Sequence, residues 1–152
     1  IDIKSAEDMY EEIMKISDAQ DIIIKAAAVA DYTPANYSSE KIKKKEGDLT
    51  IELSRTKDIL KELGERKNNN PKRQFICGFS METENIEENS RKKLVSKNVD
   101  MIVANNLKVE GAGFGTDTNV VSIFTKDQEV ILDKLSKLEV AEKIFDEIVR
   151  NF

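Results

Sequence analysis

The chain has 152 residues, with 24 basic and 29 acidic side chains for a net charge of −5, and it is 39% hydrophobic and 35% charged. That is enough apolar material for one core at a length typical of a single domain, with no apolar run approaching the ~20 residues of a membrane span. A single cysteine, Cys77, excludes an internal disulfide, and the lack of any histidine excludes Ser-His-Asp and Cys-His catalysis and histidine-ligated metals.

Residues 5–16 open with Ser5 as a helix cap and an acidic first turn, and they place Met9, Ile13 and Ile16 on one face, which predicts a helix. Residues 21–30 form a nearly continuous apolar run, the pattern of a central parallel strand covered on both faces. Asp31-Tyr32-Thr33-Pro34 ends it, and a polar segment over 38–48 follows. Residues 49–54 alternate apolar and polar, as a half-exposed strand should. Residues 58–66 are helical in spacing through Ile59, Leu60 and Leu63, and Asn68 to Pro71 stops that helix. Strands at 74–79 and 100–104 bracket a polar helix at 86–97. Gly111 to Gly115 make a loop, strands at 119–124 and 129–132 form a hairpin through a Lys126-Asp127 turn, and a helix at 138–149 closes the chain on Val140, Ile144 and Ile148.

This order predicts an α/β fold, a Rossmann-like open sheet with a parallel centre and a mixed edge. A doubly wound domain normally opens on a strand and a Gly-rich turn, whereas this chain opens on a helix. The expectation is therefore a single domain over 1–152 that lacks its N-terminal portion. The opening Ile1-Asp2-Ile3-Lys4 does not have the pattern of a secretion leader, so the expected location is cytoplasmic, and no membrane partner is expected. Net acidity argues against a nucleic-acid partner.

With histidine absent, chemistry falls to Lys, Asp, Glu and backbone. Asp31 follows the first predicted strand, at the carboxyl-end crevice where open sheets bind ligands; it suits a Mg²⁺-phosphate contact or a plain turn aspartate. Lys41, Lys43, Lys44 and Lys45 concentrate four charges that would attract phosphate, or that simply solvate a loop. Lys93 and Lys97 share one helix face and could grip a triphosphate, although cations are also favoured there by the helix dipole. Gly78-Phe79 ends a strand where a ring could lie near a nucleotide, and Cys77 in the same run reads as an inert buried thiol. The Gly111 to Gly115 loop precedes a strand rather than a helix, so it is not read as a phosphate loop.

Taken together, Ala26-Ala-Ala-Val-Ala-Asp31-Tyr32, Lys41-Ile-Lys-Lys44, Gly78-Phe79 with Glu82-Thr83-Glu84, Arg91-Lys-Lys93 with Lys97-Asn98, Asp100-Met-Ile-Val-Ala-Asn105 and Gly113 to Asn119 resemble the bacterial phosphopantothenoylcysteine synthetases over nearly the whole chain. The resemblance implies a ligase of coenzyme A biosynthesis that joins 4′-phosphopantothenate to L-cysteine. In that family CTP and Mg²⁺ activate the carboxylate as an acyl-cytidylate, and cysteine's amine then displaces CMP.

By resemblance, Asp31, Lys41, Phe79, Lys93 and Lys97 fall on CTP-contacting positions, with Asp31 the metal contact through the nucleotide phosphate. Lys57, Asp58, Ile59 and Leu60 fall on the cytosine-reading turn, and Ala27 and Ala28 beside the acyl substrate and intermediate. Lys41 is similar to the lysine linked to amide formation, on a flap that crosses to the other subunit of a homodimer. Thr56-Lys57 departs from the family's usual Asn-Pro. The family's N-terminal Gly-rich loop and Asn-Ser-Ser-Gly segment have no counterpart in these residues. In many bacteria the synthetase is fused to a flavin-dependent decarboxylase, which nothing here resembles, so no flavin is expected in this chain. A non-catalytic nucleotide-binding or dimerisation module is the other reading.

Overall fold

The helices that begin at Ala6, Ile59 and Lys137 each start at a side-chain cap, whereas the one that begins at Ile86 follows Asn85 in the left-handed region with no side-chain cap bond. In the computed structural model, which describes residues 1–44, 46–106, 108 and 116–152, helix α1 spans Ala6–Ile16. The Asp8 N–H donates to the Ser5 hydroxyl at 3.1 Å, and the Ser5 N–H donates back to the Asp8 carboxylate at 3.0 Å, a reciprocal cap that satisfies two otherwise orphaned donors. Helix α2 (Ile59–Lys67) is capped by Asp58, and α4 (Lys137–Asn151) by the Ser136 and Glu139 pair. Helix α3 (Ile86–Lys97) ends on Asn98 in the left-handed region at φ 51°. The Gly111 to Gly115 loop and Lys45 lie outside the described residues.

The strands are β1 (Ile22–Lys25), β2 (Tyr32–Pro34), β3 (Leu53–Arg55), β4 (Phe75–Glu82), β5 (Met101–Asn106), β6 (Thr118–Asn119), β7 (Val121–Thr125), β8 (Glu129–Ile131) and β9 (Leu135–Ser136). Five of them form one sheet in the order β1-β4-β5-β7-β8. The pairs β1·β4 and β4·β5 are parallel, and β5·β7 and β7·β8 are antiparallel. The parallel centre, the mixed edge and the terminal hairpin are as the sequence predicts.

Alternation along the strands sorts the core into two layers. Ile76, Ile102, Ala104 and Phe124 face α2 and α3, with Met9, Tyr10, Ile13 and Met14 of α1 packed against them. Phe75, Cys77, Met101, Val103 and Ile123 face the other way, onto Val140, Ile144 and Ile148 of α4. Three helices cover one face and one covers the other. Cys77 is fully buried, and burial, with Asp100 adding to it, pushes its thiol up to about 12, the inert thiol expected. Among the described residues no helix is long and apolar enough to cross a membrane.

Three expectations need correction. The apolar run 21–30 is not a ten-residue strand, and among the described residues it is not central: β1 stops at Lys25 and pairs there with β4 alone. Its last five residues are mostly alanine, which has weak strand propensity, and they turn away through a Val29 N–H to Ala27 carbonyl bond of 3.2 Å. The strand expected at 49–54 contracts to β3, which pairs antiparallel with β2 as a ribbon separate from the main sheet. Ile16 is exposed, because α1 buries a stripe centred between Met9/Ile13 and Tyr10/Met14 and then tightens into a short turn over Ser17–Ala19 that buries Ser17 instead.

Candidate functional site

The parallel strands β1 and β4 and the connections leaving them form a crevice at their carboxyl ends. On the α2 side it is a cavity of about 270 Å³. Asp31, Asp58, Phe79, Lys93 and Lys97, expected from the sequence, all line it, as do Lys57, Ile59 and Leu60 at the start of α2. Gly78 allows this closeness, since a Cβ there would lie 2.4 Å from Leu60 Cδ2. The bare strand lets Leu60 rest on the sheet as part of the cavity wall.

The turn before α2 is held by two side chains. The Thr56 hydroxyl donates to the Ala30 carbonyl at 2.6 Å, and the Thr56 N–H to the Asp31 carbonyl at 2.9 Å. Lys57 reaches outward to Glu7 of α1 at 2.5 Å, with its ammonium 4.3 Å from the centre of the Tyr10 ring. Side-chain contacts thus fix a turn whose backbone lacks the rigidity a proline would give. Lys57 offers the cavity its backbone and stem rather than its charge.

Asp58 accepts from the Lys61 N–H at 3.1 Å and pairs with Lys97. Burial alone would raise its carboxyl, but the hydrogen bond from Lys97, the Lys61 N–H and the charges of Lys97 and Lys25 outweigh that and hold it below the usual range. Lys93 pairs at 2.5 Å with Glu82, a buried carboxylate that also accepts from Asn89 Nδ2 at 3.1 Å. The Asp31 carboxylate has no hydrogen bond or ion pair among the described residues and faces both this cavity and its continuation past Tyr32 and Arg55.

On the α4 side of the crevice lies a second cavity of about 440 Å³, lined by Ala26, Ala27 and Ala28, by Met81, Val140 and Ile144, and by Asn105, Asn119 and Lys137. Ala27 and Ala28 fall here as expected. Phe79 lines both cavities and stands where they meet. Lys41 lines neither: it lies in an exposed segment without regular structure. Asn105, whose Oδ1 is buried without a partner, and Lys25 line the crevice without having been singled out. Asn105 is the next-to-last residue of β5 and Lys25 the last of β1, and period-two alternation was the signal that could have placed both side chains.

The model of the DNA/pantothenate metabolism flavoprotein C-terminal domain matches residues 1–152. The chain belongs to this family. A coenzyme A biosynthesis bifunctional protein CoaBC from Bacillus subtilis is 52% identical over 149 residues, which is 97% of this chain and 36% of that protein. The solved C-terminal domain of a CoaBC superposes with a TM-score of 0.77 at 41% identity, covering 99% of this chain and 66% of that one. A Cab2 H337A variant solved in complex with phosphopantothenate-cysteine shares the fold with a TM-score of 0.70 at 17% identity, covering 96% of this chain and 51% of that one. The chain thus spans about a third of the length of the curated relative.

Proposed function

We propose that this domain carries the synthetase chemistry of coenzyme A biosynthesis, joining 4′-phosphopantothenate and L-cysteine through an acyl-cytidylate made from CTP. The observation that carries the reading is the pair of cavities meeting at Phe79: a charged one with Asp31, Lys93 and Lys97, and a largely apolar one against Ala27 and Ala28. The acyl-cytidylate of 4′-phosphopantothenate has that division, a charged nucleotide end and a pantothenoyl arm that is less polar as far as its own terminal phosphate.

Lys93 and Lys97 sit one helical turn apart on α3 and hold their carboxylate partners until a polyphosphate offers more charge. The turn at Lys57 to Leu60 presents backbone groups to a cytosine edge, and the N-terminus of α2 favours anions. Among the described residues no cluster of three metal-ligating side chains exists. Mg²⁺ that is carried mainly by nucleotide phosphates needs only one or two carboxylates, and the unpaired Asp31 suits that role. There it would neutralise phosphate charge.

Lys41 belongs to the second half-reaction in this reading, where a mobile ammonium stabilises the departing CMP phosphate. It reaches the site from a second copy, through the segment 41–54 of a homodimer, whose described residues are exposed. Fusion to a second catalytic domain, for which the bifunctional relative of more than twice this length is the support and a flavin-dependent decarboxylase the proposed identity, and a cytoplasmic location complete the proposal.

The test is incubation with 4′-phosphopantothenate, cysteine and either CTP or ATP, with calorimetry on the nucleotides alone. The expected result is CTP-selective binding, pyrophosphate and CMP release, and a product with the mass of the amide. Equal affinity for the two nucleotides would remove base readout, and CTP binding without product would favour the non-catalytic module.

A further inference from the structure

The lysines around the nucleotide cavity are not equivalent. Lys57 is held by Glu7, Lys93 by Glu82 and Lys97 by Asp58. Lys25 forms no ion pair among the described residues, and its ammonium donates only to the Ala27 carbonyl, at 3.1 Å. It is half-buried, ends β1 opposite Gly78 and projects to the α2 side with Ile23. A half-buried ammonium with one neutral acceptor is costly unless something else uses its charge.

Its location says what that is. Lys25 lines the charged cavity, while its acceptor, Ala27, lines the apolar one, so the ammonium lies at the seam that Phe79 also occupies. We propose that Lys25 is the anion contact at the junction of the two cavities, the position of the phosphate that links nucleoside to acyl group. The assignment rests on the nucleotide reading above and adds a residue to it. The surrounding charges leave this cation unsaturated. Burial lowers its ammonium's proton affinity, Lys97 adds to that, and Asp58 and Asp31 act against it without closing to an ion pair. An arriving phosphate supplies the missing counter-charge with a charge-assisted hydrogen bond.

The same argument separates this role from a structural one. Replacing an uncompensated half-buried charge by an apolar side chain of similar length does not weaken the fold, whereas removing a structural contact does. Lys25→Met, Lys25→Arg and the unchanged protein would be compared by thermal denaturation and by calorimetry with CTP, inorganic tripolyphosphate and cytidine. Expected for Lys25→Met are an unchanged or raised melting temperature, CTP and tripolyphosphate affinity lower by about ten- to a hundredfold, and unchanged cytidine binding, with Lys25→Arg retaining most of the affinity.

Unaltered CTP affinity in Lys25→Met overturns the assignment, and so does a parallel loss of cytidine binding with a lowered melting temperature. If that variant forms acyl-cytidylate normally but stops short of the amide, Lys25 is a proton acceptor for the incoming amine and the anion role is overturned. If the unchanged protein binds neither CTP nor tripolyphosphate, the nucleotide reading falls and the assignment with it. Lys25-dependent tripolyphosphate binding with no preference for CTP leaves Lys25 in place and removes only the base reading.

Discussion

Asp58 does two jobs with one carboxylate. It caps α2 through the Lys61 N–H and holds Lys97, 39 residues away in sequence, against the cavity. The cap was legible, because an aspartate immediately before Ile59-Leu60 is a helix start. The partner was not, since only folding brings α3 beside α2. Asp58→Ala is expected to lower stability by about 1 kcal/mol, the usual effect of losing an N-cap, with a small further loss from a pair that is partly exposed. Because the folded carboxyl is held below its ordinary value of 3.8, its contribution is present above that value and disappears as pH falls through the lower folded one. Urea midpoints between pH 7 and pH 3 should therefore converge for Asp58→Ala and the unchanged protein toward the acid end. A constant gap at every pH would show that the charge plays no part.

Asp31 and Lys41 differ in the structure as they should in kinetics. Asp31 lines the cavity with a carboxylate unpaired among the described residues, whereas Lys41 is exposed and does not line it. Asp31→Asn is expected to suppress pyrophosphate release and amide formation together, because the metal-nucleotide complex precedes both steps. Lys41→Gln should spare pyrophosphate release, accumulate acyl-cytidylate and lower amide formation by roughly 10²–10³-fold. Quenched-flow mass spectrometry distinguishes them, and identical profiles for the two variants would dissolve the division.

Between elements, α2 and α3 approach closely at Gly64. A Cβ built on Gly64 would lie 1.8 Å from the Lys97 carbonyl oxygen, and the Gly64 carbonyl accepts from Asn98 Nδ2 at 2.7 Å. The obstruction is backbone, so the helices must separate. Gly64→Ala, harmless or mildly favourable in an isolated helix, is expected here to cost about 1–3 kcal/mol and to weaken nucleotide binding as Lys97 is carried away from Asp58. A chemical-denaturation midpoint equal to that of the unchanged protein would refute the contact. The sequence gives no hint of it: Gly64 reads as a flaw in a helix until α3 is seen against it. The helices themselves were legible to within a residue or two because caps and apolar spacing are local. Strand β1 was not, because a continuous apolar run reports burial without saying which neighbours cover it. Here Ile22 and Ile24, on the α4 side of an edge strand, remain 39% and 37% exposed.

Over the whole molecule, the α/β order was legible since alternating helical and strand patterns leave few topologies, and a crevice stands where the carboxyl ends of the parallel strands predict one. A single chain does not bring Lys41 into the lining of either cavity. The answer proposed here is assembly. Leu49, Ile51 and Leu53 alternate along the segment that leads into β3 and are 69%, 63% and 55% exposed, apolar surface continuous in sequence with Lys41. A twofold dimer that buries this surface would carry each Lys41 toward the partner's crevice. Replacing Ile51 and Leu53 together by glutamate is then expected to give a folded monomer in sedimentation that still binds CTP but does not form the amide. Subunit mixing is the stricter test. Asp31→Asn and Lys41→Gln chains, each inactive in amide formation, form half their dimers as hybrids when mixed equally. In each hybrid one site joins an intact Asp31 to an intact Lys41 from the other chain. About a quarter of the normal activity should return if the lysine acts across the twofold axis. If mixing restores none while sedimentation shows that hybrids have formed, Lys41 serves its own chain, and the flap must fold back by some 10 residues of rearranged backbone between Asp31 and Lys41.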